Sequence, residues 1–415
     1  MSFMLFGLGA LLVGMSWLIF EPAALAAFHY APHTVALTHL FILGFILSIV
    51  MGSTYQLVPV ALETKLAHPQ LGLHHFWIHT TGVVGMVISF YSWRMGGVTA
   101  YGGLVYSGML LFLFNIITTL RRAPRLDVIG GFILSSVLWM LFTMSAGLLV
   151  AIHKQWPFLP WEPLATLQAH AHLGLIGIFV MIIVGVSLKL VPMFALSEIQ
   201  SLPRARWILA LLNLGLPLLV YSLLTLSNGL LVLAALTLST GIVVFGVEIY
   251  AIVRARKRRQ IDWGLKMFFT AQGLLFAALV CGLLLVYPGL ASVGWVGQFK
   301  TVYALLSLFG FVALAIIGML HKILPFLVWF RTYSPHIGKA KLPATGEMYS
   351  PALAVISFGL FMGGLVAGCV GAFSASNLLA MSAGVLFTSG CMVFLANMGL
   401  VVRHWFFPQI EPLKR

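Results

Sequence analysis

Three apolar stretches of this 415-residue chain carry one framework at one spacing, and that repeat limits the possible folds more than any other feature. The first runs from His39 through Gly44 and Gly52 to Pro59. The second runs from His172 through Gly177 and Gly185 to Pro192, and the third from Leu305 through Gly310 and Gly318 to Pro325. The prolines are spaced 133 residues apart, and the glycines keep their distance from each proline in all three copies. Self-similarity at a fixed period marks a structural unit used several times. Eight residues separate the paired glycines, which places them on one broad helix face. That face serves close helix packing, or it leaves room for a flat cofactor against the backbone.

Apolar runs of about 20 residues, the length that spans a bilayer, recur along the whole chain. With 61% hydrophobic and 8% charged residues, the composition excludes a soluble domain. Twelve spans are expected, at 3–27, 33–61, 72–93, 97–120, 127–151, 163–195, 205–226, 229–252, 265–287, 299–329, 350–372 and 377–402. Twelve spans and a threefold framework predict an all-α integral membrane fold. It comprises three parallel four-helix repeats with pseudo-threefold symmetry, at about 1–126, 127–262 and 263–403, followed by a tail at 404–415. Cys281, Cys369 and Cys391 all fall within expected spans, far apart, and read as small buried hydrophobes.

The net charge of +14 is carried mainly by loops. Loops after even-numbered helices hold Lys65, Arg121, Arg122, Arg125, Arg204, Arg206, the Arg254–Arg259 cluster, Arg331, Lys339 and Lys341, and the tail adds Arg403, Lys414 and Arg415. Odd-numbered loops hold Arg94, Lys154 and Lys300. Positive loops stay cytoplasmic, so both termini are expected inside a bacterial cytoplasmic membrane. The Arg254–Arg259 run reads as a topogenic cluster facing membrane lipids, not as a nucleic-acid site.

Thirteen histidines accompany nine acidic residues, and ionisable groups within spans carry function by default. An outer group comprises His29, His33, His39, His153, His170 and His172. His39 and His172 each precede their proline by twenty residues, so they lie at one depth on helices that share an axis. Two imidazoles at a common centre suit a haem iron or a copper ion. The third equivalent is Leu305. His170 and His172 differ by about 200° around their helix and so serve two neighbouring sides. The inner group is His68, His74, His75 and His79, with His321 near the end of helix ten. His75 and His79 share a face as a metal-binding or proton-carrying pair, and Tyr55 and His321 occupy equivalent repeat positions. Glu21-Pro22 and Glu162-Pro163 act as acceptors that orient outer histidines, or as helix starts.

This pattern resembles subunit I of the haem–copper oxidases and the large subunit of the nitric oxide reductases. Gly52-Ser-Thr-Tyr-Gln-Leu-Val-Pro59 resembles the end of helix two in those reductases. His170-Ala-His172, with Gly177, Gly185 and Pro192, resembles the H-x-H helix of the NnrS family, haem- and copper-containing membrane proteins linked to nitric oxide metabolism. The chain departs from the superfamily at two places. The helix-ten H-x-H is missing from 300–310, and the adjacent histidine pair of helix seven is missing from 207–226.

The resemblance implies a divergent single-chain haemoprotein without the standard binuclear centre. Its cofactor is a b-type haem, held by His39 with His172 or His170, and copper is a second candidate. The remaining member of the H-x-H, with His33 or His153, would serve a second haem or copper, and His75, His79 and His321 are inner metal candidates. The activities implied are electron transfer or the handling of nitric oxide or oxygen, with a small gas, quinol or separate redox protein as partner. Turnover as an oxidoreductase stays open, but not as a standard terminal oxidase. No C-x-x-C-H motif occurs, so no cytochrome module with covalently attached haem is encoded here. The competing class is a cofactor-free transporter or metal-ion carrier using the same histidines.

Overall fold

A computed structural model describes residues 2–27, 30–124, 126–290 and 292–412. His29, Arg125, Lys414 and Arg415 lie outside the described residues. Twelve long helices make up nearly all of the described chain. They are α1 (Ser2–Phe20), α2 (Pro32–His39, Leu40–Leu47 and Ser48–Ala61 end to end), α3 (Leu71–Tyr91), α4 (Met95–Arg121), α5 (Val128–His153) and α6 (Pro163–His172, Leu173–Val180 and Met181–Ala195). The second half holds α7 (Leu202–Thr225), α8 (Asn228–Arg254), α9 (Trp263–Leu285), α10 (Val296–Leu305, Leu306–Ala313 and Leu314–Tyr333), α11 (Pro351–Phe373) and α12 (Asn377–Phe406). Eleven of them are long and apolar enough to cross a membrane. The twelfth, α3, has the length, but His74, His75 and His79 dilute its apolar character. Helix α1 stops at Phe20, short of the expected 27. Proline cannot continue a helix that needs its N–H, and Pro22 instead begins a single turn at Ala23–Ala26.

The three repeats are built alike. In each, the first helix packs along the second, and the third and fourth form an antiparallel hairpin: α3–α4, α7–α8 and α11–α12. Contacts of α4 with α5, α8 with α9 and α12 with α1 close the ring. Helices α2, α6 and α10 line the middle, and each contains an eight-residue π segment: Leu40–Leu47, Leu173–Val180 and Leu306–Ala313. These begin 133 residues apart, one position after His39, His172 and Leu305. A π turn frees carbonyls from the regular ladder, and in a membrane these need internal donors. Leu43 O accepts from Ser48 Oγ at 3.0 Å, and Ile178 O from Ser136 Oγ at 3.1 Å.

The framework glycines face the neighbouring outer helix. A Cβ on Gly44, Gly177 or Gly310 would stand 2.9, 2.7 or 3.3 Å from a side-chain carbon of Ala10 (α1), Trp139 (α5) or Leu274 (α9). On Gly52 and Gly185 it would stand 2.9 and 2.2 Å from Phe3 and Phe132, and on Gly318 it would stand 2.7 Å from the carbonyl of Gly264. Of the two roles expected for them, close packing is the one the geometry supports.

A threefold polar buckle ties each hairpin. Asn115 in α4 accepts from the N–H of His68 at 3.0 Å and donates to its carbonyl at 2.8 Å. Asn397 in α12 treats Ser350 in the same way, at 2.8 and 3.0 Å. In the middle repeat Glu248 of α8 takes the N–H groups of Gln200 and Ser201 at 2.7 and 3.0 Å, and the guanidinium of Arg204 at 2.6 Å. All three buckle side chains are fully buried. Asn115 and Glu248 are 133 residues apart, and Asn397 follows after 149. The extra residues lie in the α10–α11 connection, where Ala340–Lys341 pairs with Glu411–Pro412.

Replacing a buckle strands buried backbone donors at about 1–3 kcal/mol each. Asn115→Ala and Asn397→Ala are therefore expected to lower the thermal unfolding midpoint in detergent well below that of Thr118→Ala, whose exposed hydroxyl bonds only its own helix. Equal midpoints would remove the buckle from the account of stability.

Candidate cofactor site

The π segments and the glycine contacts hold α2, α6 and α10 around a cavity of about 380 Å³ with an overwhelmingly apolar lining. That lies within the roughly 300–1,000 Å³ usual for cofactor and ligand sites. Its walls come from α2, α6 and α10, with α3, α4 and α5 closing one side. Trp93, Lys154 and Lys300 place it toward the end of the bundle that carries the odd-numbered turns. His39, His170 and His172 all line it.

His39 Nδ1 donates to the carbonyl of Val35 at 2.8 Å, and His172 Nδ1 donates to that of Gln168 at 2.8 Å. A carbonyl only accepts, so the proton sits on Nδ1 and the lone pair on Nε2 in both rings. This is the second-sphere bond that orients imidazoles which bind a metal through the other nitrogen. The ring of His39 stacks on Phe90 at 4.5 Å. Nε2 of His172 accepts from the hydroxyl of Tyr303 at 3.3 Å. His170 lines the same cavity as His39. Its ring rests against Gly147 of α5, where an added Cβ would come within 2.8 Å of its Cε1. Nδ1 of His170 is buried without a protein partner.

The remaining candidates sit elsewhere. His33 Nδ1 meets the carboxylate of Glu21 at 3.2 Å, and its ring stacks on Tyr91 at 4.4 Å. Glu21 thus orients a histidine, whereas Glu162 caps α6 by accepting from the N–H of Ala165 at 2.7 Å. His153 Nδ1 accepts from the N–H groups of Phe158 and Leu159, both at 2.9 Å, and so staples the α5–α6 loop. His75 and His79 lie with ring centroids 5.7 Å apart, packed against Phe3 of α1. The hydroxyl of Tyr55 meets His75 Nδ1 at 3.0 Å, and His79 Nε2 reaches Leu43 O and Ser48 Oγ, each at 3.2 Å. His321 donates from Nδ1 to Ile317 O at 2.9 Å and packs on Tyr349 and Phe394. His68 serves the first buckle through its backbone. Among the described residues no three or more His, Cys, Asp or Glu side chains come together as metal ligands.

Tyr303 was not among the residues singled out from the sequence. The signal was available, because Tyr303 stands 133 residues after His170. Gly147 carried no such signal.

An apolar chamber with imidazoles presenting free nitrogens fits a haem. Among the described residues no point gathers the several donor side chains that a copper ion needs.

No family model matches the chain. A protein of Aquifex aeolicus (strain VF5) described as uncharacterized is 24% identical over 159 residues, which is 38% of this chain. The matched stretch spans 37% of that relative's length. A chain from a cryo-EM structure of a heme-copper terminal oxidase dimer superposes on all of this chain and on 86% of its own length, with a TM-score of 0.68 at 11% identity. The protein is therefore a multi-pass membrane protein with the fold of that oxidase chain.

His153→Leu removes the acceptor for two loop N–H groups, at about 1–3 kcal/mol for each group left unpaired. The variant is expected to melt earlier and to be cut faster by protease between residues 154 and 161. Any metal or pigment that the parent binds should stay at the parent's level, and its loss would place His153 in the site.

Proposed function

We propose that this protein is a haem-binding membrane protein that takes part in electron transfer. The carrying observation is one apolar cavity lined by His39, His170 and His172, on helices whose order and packing follow the haem–copper oxidase fold. The haem would be of the b type, held by non-covalent contacts and ligation. His39 of α2 and the H-x-H of α6 would hold it through imidazole nitrogens. Bound there, the haem would supply reversible one-electron chemistry.

The chain's own residues set the conditions. The carbonyl of Val35 fixes the tautomer and the plane of His39, and Phe90 holds its ring in stack. Phe41, Phe179 and Phe309 help to line the chamber and keep water from it. Lys154 and Lys300 at the rim favour an anionic edge on whatever enters. Two imidazole ligands favour electron transfer over gas binding, since a gas needs an open position. Electrons would come from quinol or a separate redox protein. The positive charge of the even-numbered loops favours both termini on the cytoplasmic side, which would turn the cavity toward the outer face.

Visible spectra of the purified full chain, made with ample haem supply, test this reading. A Soret band with sharpened α and β bands after dithionite is expected, and His39→Ala should reduce or abolish it. A colourless yet monodisperse and cooperatively melting preparation overturns the reading.

A further inference from the structure

The haem reading leaves open which member of the H-x-H faces His39, and the threefold register decides it. One contact serves as the ruler. Across the α6–α10 boundary the hydroxyl of Tyr303 meets Nε2 of His172 at 3.3 Å. One repeat earlier, 133 residues back, the same two positions are His170 on α6 and His39 on α2. The boundary between α2 and α6 therefore brings His170 against His39, as the boundary between α6 and α10 brings Tyr303 against His172. Both His170 and His39 line the same cavity, as this requires. The seating of the rings agrees: His170 rests on Gly147 of α5, and Tyr303 lies 3.4 Å from the Cβ position of Gly282 in α9. At the third boundary the corresponding positions are Leu305 and Leu37, both buried and apolar. His170 also keeps a buried ring nitrogen with no protein partner, while the lone pair of His172 is engaged by Tyr303.

We propose that His39 and His170 are the axial pair across α2 and α6, and that His172, the symmetry mate of His39, is held out of coordination by Tyr303. The three boundaries then grade from His/His through His/Tyr to Leu/Leu, and one of the three binds iron. Tyr303 is a positioning residue. Its hydroxyl proton occupies the only lone pair with which His172 could compete for the metal.

This assignment rests on the haem reading, and one set of variants separates their failures. The full chain, His170→Gly, His172→Ala, His172→Gln and Tyr303→Phe are purified with haem. Haem per protein is measured by the pyridine haemochrome, and ligation by low-temperature EPR. A parent without haem sinks the functional reading itself. With haem in the parent, His170→Gly is expected to lose the low-spin bis-imidazole signal and to regain it when imidazole is added. That regain also shows the variant is folded. Both His172 variants should keep the parent's haem content and low-spin signal, whereas Tyr303→Phe, which frees the His172 lone pair to compete, should split that signal into two low-spin species. The assignment is overturned if His170→Gly retains the parent signal, or if both His172 variants lose it while melting like the parent.

Discussion

Everything in this bundle depends on how closely α2, α6 and α10 lean on α1, α5 and α9. Lipid tails are as apolar as leucine, so helices in a bilayer gain little from hiding apolar surface from one another. They associate through contact area and polar bonds. Two glycines on each inner helix bring it to within side-chain or backbone contact of its outer neighbour, as with Gly318 against the Gly264 carbonyl. A methyl group at Gly44, Gly52, Gly177, Gly185 or Gly318 would stand under 3.0 Å from its neighbour, so something there would have to shift. The cavity lies between inner helices that these contacts hold around an axis.

Much of this was readable from the residues alone, for physical reasons. A bilayer demands long apolar helices, so the spans announce themselves. A duplicated module keeps its register, so Pro59, Pro192 and Pro325 gave the repeat. The π segments were invisible because a π turn has no composition of its own. Leu40–Leu47 reads as any apolar helix would. The polar buckles were hidden because Asn115, Glu248 and Asn397 differ in type or spacing, and each acts on a backbone group in a connecting loop.

The histidines illustrate a subtler limit. Equivalence under a threefold axis puts two side chains at one depth, but it turns them toward successive boundaries and not toward each other. Depth could be read from spacing. Facing could not, until the Tyr303–His172 contact supplied the rotation. The inner histidines show the same limit from the other side. His75 and His79 share a face as their spacing requires, yet their neighbours are Tyr55, Ser48 and the Leu43 carbonyl, none of them a third histidine, cysteine or carboxylate. Only the fold could show which groups lie across from that face.

The buckles also bear on how such a chain tolerates change. Each ties the fourth helix of its repeat to the residues that open the third and takes no hold on the connection before them, so the spacing from Glu248 to Asn397 is longer while the grip at Ser350 is intact. The short pairing of Ala340–Lys341 with Glu411–Pro412 shows the surplus folding back on the tail as a small appendage. That margin of the molecule is thus a permissive graft site, where new sequence can accumulate without being felt at the apolar chamber on the opposite side.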